Sequence, residues 1–338
     1  MVRIITVDDV RSLVRKITLK KFLLRLVDRL EQDYGRWHDF DKTPRIANHY
    51  SQGVIELMPV SDRDYYSFKF VNGHPGNPLS NRQTVVAFGA LADIATGYPV
   101  LISEMTILTA MRTAATSVLA SKYLARKGIK SFGIIGTGAQ SEFQVLAHHF
   151  SLGINKIYFF DIDPAAMEKF VENLTPFGLE LHPCRDAQSI VEQSDIITTA
   201  TAVKTKAKVV LKDWIKSGTH INGIGGDCPG KTELDPSLLA ACKIVVEQLE
   251  QSKKEGEIQQ LGEGKIFAEL WELVSGKKNG RESEQEITLF DSVGFALEDY
   301  SVLRLVSSLA EEYHVGHMLD MVPSHRDPKD LYSLLNDK

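Results

Sequence analysis

Two glycines one residue apart stand where an apolar run ends and a helical pattern begins. The run Phe132 to Ile135 is typical of a buried parallel strand, and Gly136 and Gly138 follow it. The first glycine permits a tight turn, and the second lets the backbone come close to a ligand. A helical pattern starts at Glu142, and the free N–H groups and dipole of a helix N-terminus favour a pyrophosphate. The spacing therefore indicates a dinucleotide-binding turn.

A carboxylate follows the next predicted strand, Lys156 to Phe160. Asp161 lies about as far downstream of the glycines as the acidic residue that binds ribose hydroxyls in such folds. A carboxylate there repels a 2′-phosphate, so the sequence favours NAD over NADP. The glycine motif alone is weak, because Ser141 replaces its usual third glycine. The alternative is an ordinary glycine turn, with the aspartate capping a helix before Pro164.

Charged residues in the first hundred positions provide a second group of candidates. Glu56 and Lys69 each alternate with apolar neighbours in short segments typical of strands, so we expect them to point away from the apolar faces. A hairpin centred between Asp62 and Arg63 would place them directly opposite each other, as a cross-strand pair or an exposed sheet ion pair. Arg45, at the start of this region, is ambiguous by itself.

Arg112 is the only charge between Glu104 and Lys122, in a predicted helix rich in alanine and threonine. An unpaired buried charge is very costly, so this arginine needs an anionic partner. Glu104 or Asp93 could supply it, and so could the carboxylate or phosphate of a ligand. The helix leads directly into the nucleotide-binding strand, which puts Arg112 at the junction of two domains.

Asp227 follows a predicted strand within a segment that has three glycines before it and a Pro-Gly pair after it. Such a segment turns sharply and places one carboxylate at a strand end. The carboxylate could act as a general base, anchor an ammonium group, or only stabilise the turn. Lys231 is close enough in sequence to neutralise Asp227, or it could bind a phosphate.

The order of predicted elements fixes the fold class. Residues 44–101 form short alternating segments between turn residues, which predicts a mostly antiparallel sheet. From residue 131 onward strands alternate with helices, which predicts a doubly wound parallel sheet of Rossmann type. The expected fold is therefore α/β, with a Rossmann domain and an α+β domain. Ligands of such sheets bind beyond the carboxyl ends of the parallel strands. Asp161, Thr201 and Ser292 each come directly after a predicted strand, so they are candidate ligand contacts.

Composition narrows the class of function. The chain has 338 residues, with 44 acidic and 39 basic side chains and a net charge of −5, which argues against nucleic-acid or membrane partners. Its three cysteines are too few and scattered for a disulfide framework or a metal site. No apolar run is long enough to span a bilayer. We expect a cytoplasmic protein that binds a small molecule.

Taken together, these residues resemble the ornithine cyclodeaminase/mu-crystallin family. The matching segments run in the expected order and are Pro44-Arg45, Glu56, Phe68-Lys69, Thr84, Met111 to Ala115, Gly136 to Gln140, Gly226 to Lys231 and Asp291 to Gly294. Singly these segments are not specific, but as a set they are. The resemblance implies a homodimer, with residues 1–112 and 313–338 as the substrate-binding and dimerisation domain and residues 113–312 as the NAD-binding domain.

The resemblance also implies roles for individual residues. Arg45, Lys69 and Arg112 would hold a substrate α-carboxylate, and Glu56 would orient a water molecule or the lysine. Asp227 would bind the δ-amine and move its proton, and Val293 would line the substrate pocket. The implied NAD contacts are Thr84, Arg112, Gly136, Gly138, Ala139, Gln140, Asp161, Thr201, Asn222, Gly223, Ile224, Lys231 and Ser292.

The implied reaction converts L-ornithine into L-proline and ammonia through a hydride lent to NAD+ and then returned. An amino-acid dehydrogenase of the alanine type would keep Arg45, Lys69, Arg112 and an aspartate like Asp227, so those residues leave it as an alternative. A ketimine reductase and a non-catalytic ligand-binding protein of the mu-crystallin type are further alternatives. A shared fold does not fix the substrate, because function depends on the site.

Overall fold

The computed structural model describes residues 1–202, 206–261, 266–324 and 327–336. Within them the chain forms a seven-stranded sheet, an eight-stranded sheet and a two-stranded ribbon. The helices are α1 (Val7–Ile17), α2 (Leu19–Gly35), α3 (Thr106–Leu124), α4 (Ser141–Leu152), α5 (Pro164–Leu174), α6 (Ala187–Val191), α7 (Pro236–Leu239), α8 (Leu249–Glu255), α9 (Leu270–Val274) and α10 (Ala296–Glu312). No helix in these ranges is long and apolar enough to cross a membrane.

The seven-stranded sheet carries the N-terminal part of the site. Its strands are β1 (Val2–Ile5), β2 (Ile46–Tyr50), β3 (Gly53–Ser61), β4 (Tyr65–Gly73), β5 (Ala87–Asp93), β6 (Pro99–Glu104) and β17 (His317–Leu319). They are ordered β17-β1-β6-β5-β4-β3-β2, and every adjacent pair is antiparallel except β1 and β6. The predicted antiparallel sheet is thus confirmed.

The register of the β3–β4 hairpin differs from the predicted one. Met58 lies opposite Lys69, and Glu56 lies opposite Val71, so the expected Glu56–Lys69 cross-strand pair is wrong. The reason is the turn: Oδ1 of Asp62 accepts the backbone N–H groups of the second and third residues after it, at 2.9 and 2.8 Å. This Asx turn moves the centre of the hairpin by one residue and therefore the register by two.

Helix α10 covers one face of this sheet. It packs against strands β3, β4 and β5 and against helices α2 and α3. A register shift of two residues leaves every side chain on the same face of the sheet, so Glu56 and Lys69 still share a face. That face is the one that α10 covers. Lys69 points away from its neighbours Phe68 and Phe70, as predicted, but it is only 1% exposed because α10 covers its face. The alternative of an exposed ion pair on the sheet is therefore wrong.

The eight-stranded sheet confirms the predicted Rossmann-type architecture. Its strands are β7 (Ser131–Ile135), β8 (Lys156–Phe160), β9 (Glu180–Pro183), β10 (Ile196–Thr199), β12 (His220–Gly223), β14 (Lys243–Val246), β15 (Ile266–Glu269) and β16 (Thr288–Asp291). All pairs are parallel, in the order β15-β14-β16-β12-β10-β7-β8-β9. The carboxyl ends of β7, β8, β10, β12 and β16 therefore meet at one edge. The ribbon, β11 (Lys206–Val210) with β13 (Thr232–Leu234), lies after β10 and β12 in the chain.

Helices α3 and α10 connect the two sheets. Helix α3 leads from β6 of the first sheet to β7 of the second, and α10 leads from β16 back to β17. Almost every residue of α3 is buried, because its alanine, serine and threonine side chains allow close packing against α2, α4 and α10. The domain boundaries at residues 112 and 312 stay a prediction, and α10 packs largely on the first sheet.

Candidate active site

The turn between β7 and α4 has the geometry that a pyrophosphate requires. Gly136 has φ +99°, its N–H donates to the carbonyl of Phe160 at 2.9 Å, and a Cβ there would lie 2.6 Å from the carbonyl oxygen of Ala200. Gly138 has open space where a side chain would stand. Ala139 follows on the exposed side, and Gln140, which precedes α4, has a buried Oε1 with no hydrogen-bond partner.

Asp161 lies directly after β8, beside this turn. Its Oδ2 accepts the backbone N–H of Thr137 at 2.6 Å, and its Oδ1 accepts the N–H of Asp163 at 3.0 Å. Two backbone groups therefore fix the carboxylate at the edge of the sheet where a ribose would lie. Together, a tight glycine turn, an open helix N-terminus and a fixed carboxylate fit a dinucleotide.

The neighbouring strands end in the other predicted cofactor residues. Thr201 donates its backbone N–H to Glu233 at 2.7 Å, and Ile224 donates its N–H to the carbonyl of Thr199 at 3.2 Å. Asn222 and Gly223, the last residues of β12, are both buried. The register of the parallel strands brings these groups to the same edge as Gly136 and Asp161.

A chain of buried carboxylates supports the loops at this edge. Asp291, at the end of β16, accepts the backbone N–H groups of Glu257 and Ile258 at 2.9 and 3.0 Å. Glu257 in turn accepts the N–H groups of Glu233 and Leu234 at 2.7 and 3.0 Å. Burial raises the pKa of Glu257 to about 8 and that of Asp291 to about 7. Asp291 thus fixes the segment that follows α8, and Glu257 fixes strand β13 to that segment.

Three cations that the sequence separates come together between the two sheets. Nζ of Lys69 donates to Oδ1 of Asp299 at 2.8 Å, and Nε of Arg112 donates to the same oxygen at 3.1 Å. Nη1 of Arg112 also donates to Glu298 at 2.7 Å. The predicted partners of Arg112, Glu104 and Asp93, are therefore wrong. The true partners lie in the first turn of α10, beyond the reach of local sequence reasoning.

The loop after β16 joins this cluster to Arg45. The guanidinium of Arg45 donates to the carbonyl of Val293 at 3.1 Å and to that of Gly294, and it pairs with Glu56 at 3.1 Å. Gly294 has φ +78°, and a Cβ there would lie 2.9 Å from two nitrogens of Arg112. Only glycine therefore lets Arg112 pack against this loop.

The concentration of positive charge changes the acidity of Lys69. Burial and then the charge of Arg112 lower the pKa of Lys69 to about 8, although Asp299 acts in the opposite direction. Arg45 lowers it further, so both arginines act on Lys69. A carboxylate ligand would relieve this repulsion, which is the property that a substrate-carboxylate site needs.

Ser292 is held by a further buried acid. Its hydroxyl donates to Oε1 of Glu247 at 2.6 Å, and the N–H of Val293 donates to Oε2 at 2.9 Å. Glu247 also lies beside Glu298, and burial together with the Glu247 charge raises the pKa of Glu298 well above its ordinary value. Glu298 accepts the hydroxyl of Tyr34 at 3.0 Å.

Asp227 and Lys231 lie in the loop after β12. Nζ of Lys231 lies 3.0 Å from Oδ1 of Asp227, so the predicted neutralising contact is present. The Asp227 side chain is 52% exposed. Its charge, like that of Glu56, raises the pKa of the buried Glu255, which places all three carboxylates in one neighbourhood. Thr84 lies on the first sheet's side, where its carbonyl accepts the N–H of His74 at 2.8 Å.

Sequence reasoning missed the acids that hold the cations. Glu298 and Asp299 form an adjacent acidic pair in the first turn of α10, and that pair could have marked a partner for a buried cation, although not for Arg112 in particular. Glu255 gave no such signal, because it belongs to a run of charged residues that is typical of an exposed helix.

The site geometry agrees with the comparisons. The model of the ornithine cyclodeaminase/mu-crystallin family matches residues 7–313. The chain belongs to this family. It is 49% identical over 335 residues to an ornithine cyclodeaminase of Agrobacterium fabrum, covering 99% of this chain and 95% of that relative.

Two solved structures of similar proteins extend the family comparison. A lysine cyclodeaminase, whose structure addresses recognition of L-lysine, L-ornithine and L-2,4-diaminobutyric acid, superposes with a TM-score of 0.93 at 30% identity, covering 98% of this chain and 99% of that one. An archaeal alanine dehydrogenase dimer with bound NAD gives a TM-score of 0.87 at 34% identity, covering 95% and 99%. The family thus includes both cyclising deaminases and dehydrogenases on one fold.

Proposed function

We propose that this protein converts L-ornithine to L-proline and ammonia with NAD+ as a catalytic cofactor. The observation that carries the proposal is the polarity of the site. Arg45, Lys69 and Arg112 form the cationic end, and Asp227, which pairs with Lys231 instead, would form the acidic end. A diamino acid has the matching arrangement, a carboxylate at one end and an ammonium at the other. The ornithine cyclodeaminase relative supports the same assignment.

At the cationic end, the substrate carboxylate would bind Arg45, Lys69 and Arg112. Bidentate arginine contacts with a carboxylate fix its orientation as well as its position. Asp299 holds Lys69 and Arg112 through one shared oxygen, so the two cations cannot move independently. Glu56, 3.1 Å from Arg45, would orient that guanidinium and a water molecule. Val293 would line the pocket from the loop after β16.

At the acidic end, Asp227 would accept the proton of the δ-ammonium group. The δ-amine must be neutral before its nitrogen can attack the electrophilic Cα, and a carboxylate within hydrogen-bond reach can take that proton. Holding both ends of one substrate brings the amine and Cα together, which converts the ring closure into a well-oriented intramolecular step.

The residues present fit NAD at the carboxyl edge of the parallel sheet. The glycine turn and the N-terminus of α4 would hold the pyrophosphate, and Asp161 would bind the ribose hydroxyls. Gln140, Thr201, Asn222 to Ile224, Lys231 and Ser292 would complete the contacts, together with Thr84 from the first sheet. When bound, NAD+ supplies a reversible hydride acceptor, so the reaction leaves no net redox change.

The test is to incubate the purified protein with L-ornithine and sub-stoichiometric NAD+ while following ammonia, proline and NADH. We expect ammonia and proline to rise together through many turnovers per NAD+, with no lasting NADH. Accumulation of NADH from ornithine or L-alanine would assign an amino-acid dehydrogenase instead, an alternative favoured by the likeness to the archaeal alanine dehydrogenase. If the protein only reduced a cyclic imine, it would be a ketimine reductase. Tight nucleotide binding without turnover would indicate a binding protein.

The proposal includes a homodimer formed through the first sheet. On the face opposite α10, a cross-strand row of apolar side chains runs from Ile46 through Leu57 and Phe70 to Phe88. Ile46 is 57% exposed and Phe88 is 46% exposed, so the row is uncovered in the single chain. Light scattering coupled to gel filtration tests this: we expect the mass of two chains, and a single-chain mass would contradict it.

We also propose that the enzyme works in the cytoplasm. Cys184, Cys228 and Cys242 are all free thiols, which a reducing compartment maintains. Fractionation of the source cells with detection of the protein tests this proposal, and recovery outside the cytoplasmic fraction would contradict it.

A further inference from the structure

Glu255 is a carboxylate of the site that neither the sequence motifs nor the proposed mechanism uses. It is the last residue of α8, a helix that packs onto the loop after β16 through a hydrogen bond from Gln251 to the carbonyl of Gly294 at 2.7 Å. The residue is 7% exposed. Its Oε2 lies 3.3 Å from Nη1 of Arg45. Glu255 belongs to the part of the chain that forms the eight-stranded sheet, and Arg45 directly precedes β2 of the seven-stranded sheet.

Glu255 shares its nearest cation with a second carboxylate. Nη1 of Arg45 lies 3.1 Å from Glu56 and 3.3 Å from Glu255, so one guanidinium serves two acids. Asp227 is paired with Lys231 at 3.0 Å. The charge of Lys254 also acts on Glu255, but more weakly than the charges of Arg45, Glu56 and Asp227.

The hydrogen bonding of Glu255 is also incomplete. Within the described residues, its buried Oε2 accepts no hydrogen bond. Leaving a buried acceptor unsatisfied costs free energy, so such a group in a native site calls for a ligand that completes it. Burial raises the pKa of Glu255 to about 7, and the negative charges of Glu56 and Asp227 act in the same direction while Arg45 opposes them.

We propose that Glu255 is a specificity-determining residue that binds the distal ammonium of a diamino acid together with Asp227. The ammonium supplies a hydrogen-bond donor for Oε2 and a positive charge in addition to the shared guanidinium of Arg45. This inference rests on the proposed function, since it concerns the same substrate site. A substrate with no second amine leaves Glu255 as unsatisfied as it is in the unliganded chain, so the residue selects diamino acids over monoamino acids.

A purely structural role for Glu255 would have a different consequence. If the carboxylate served only to position Arg45, its loss would lower the affinity for every amino acid whose α-carboxylate binds Arg45. The comparison that separates the two roles uses L-ornithine and L-norvaline, because norvaline has the same carbon chain and lacks only the δ-amine.

The experiment measures the affinity of both amino acids for the NADH-loaded protein by calorimetry, in wild type and Glu255→Gln. NADH cannot accept a hydride, so the measured affinities report binding alone. We expect Glu255→Gln to lower the affinity for ornithine by roughly 10- to 100-fold, the range for loss of one charged hydrogen bond. The affinity for norvaline should change by less than about 3-fold. Glu250→Gln is the matched control, since Glu250 lies on the same helix, is exposed and pairs with the exposed Lys253.

Equal weakening of ornithine and norvaline would overturn the inference and leave Glu255 as a support for Arg45. Unchanged affinity for both would overturn it as well. An unaltered thermal midpoint shows that the variant is folded. Because binding is measured without turnover, failure of the wild type to produce proline would refute the proposed function and leave the Glu255 result intact.

Discussion

Nζ of Lys231 lies 3.0 Å from Oδ1 of Asp227, across a turn that the Pro-Gly pair between them creates. The lysine side chain is 15% exposed, while the aspartate is 52% exposed. Although burial acts against its charge, Asp227 raises the pKa of Lys231. The pair thus presents a carboxylate to the site while its cation stays below the surface.

Asp227→Asn tests the proton-accepting role directly. The amide keeps the size of the side chain but cannot take a proton, so we expect kcat for ornithine to fall by about 100- to 10,000-fold. Steady-state assays of proline formation measure it, and Glu250→Gln again serves as the control. A kcat within about threefold of wild type would contradict the role of Asp227 as the proton acceptor.

The two glycines of the nucleotide turn should respond differently to alanine. Gly136→Ala forces a side chain into a φ of +99° and against the carbonyl of Ala200, so we expect a loss of about 2 kcal/mol or more in unfolding free energy. Apart from its chain neighbours, the new methyl group of Gly138→Ala meets no heavy atom of the described residues within 4 Å, so stability should be unchanged while NAD+ affinity falls. Urea unfolding and nucleotide titration measure the two quantities. Equal NAD+ affinity in Gly138→Ala and wild type would contradict a close approach of the pyrophosphate.

Asp161→Ser tests the basis of cofactor choice. Removing the carboxylate removes both the ribose contact and the repulsion of a 2′-phosphate. We therefore expect NAD+ to bind about 10-fold more weakly and NADP+ to bind more tightly than in wild type. Fluorescence titration with each nucleotide checks this, and an unchanged ratio of the two affinities would show that Asp161 does not read the ribose. Serine can still accept the Thr137 N–H, which limits loss of the turn.

Stability should depend on pH through Glu257. Burial and then the charge of Asp291 raise its pKa in the folded state to about 8, compared with 4.5 for an ordinary glutamate. Between these values the folded protein holds a proton that the unfolded chain releases, so this group stabilises the fold less as pH rises. Glu257→Gln lacks the titration. Relative to the variant, wild type should lose about 1 kcal/mol per pH unit between pH 5 and 8.

Urea unfolding of wild type and Glu257→Gln at pH 5.5 and pH 7.5 provides the comparison, because the contributions of groups that do not interact with Glu257 cancel in the difference. A difference that stays constant between the two pH values would show that Glu257 does not carry the raised pKa. Glu250→Gln, which removes an exposed carboxylate of α8, is the control variant.

The nucleotide-binding half was largely predictable from local patterns. Strand β8 has its predicted bounds, and β7 and α4 lie within a few residues of theirs. Glycine spacing, apolar runs and the downstream aspartate act over short stretches of chain, and the parallel sheet follows from the alternation of strands and helices.

The predicted residues Arg45, Glu56, Lys69, Arg112 and Val293 also prove to be neighbours in space.

The sequence by itself thus determined the two-sheet α/β architecture, the nucleotide turn and the identity of the charged residues. Apart from the local contact of Asp227 with Lys231, only the tertiary structure decided which charges pair. Arg112 finds Glu298, 186 residues away, and Lys69 finds Asp299, 230 residues away. One Asx turn at Asp62 set the β3–β4 register, and the packing of α8 brought Glu255 to Arg45. Propensity and periodicity act between near neighbours, whereas ion pairing depends on distances that only the folded packing of helices and sheets creates.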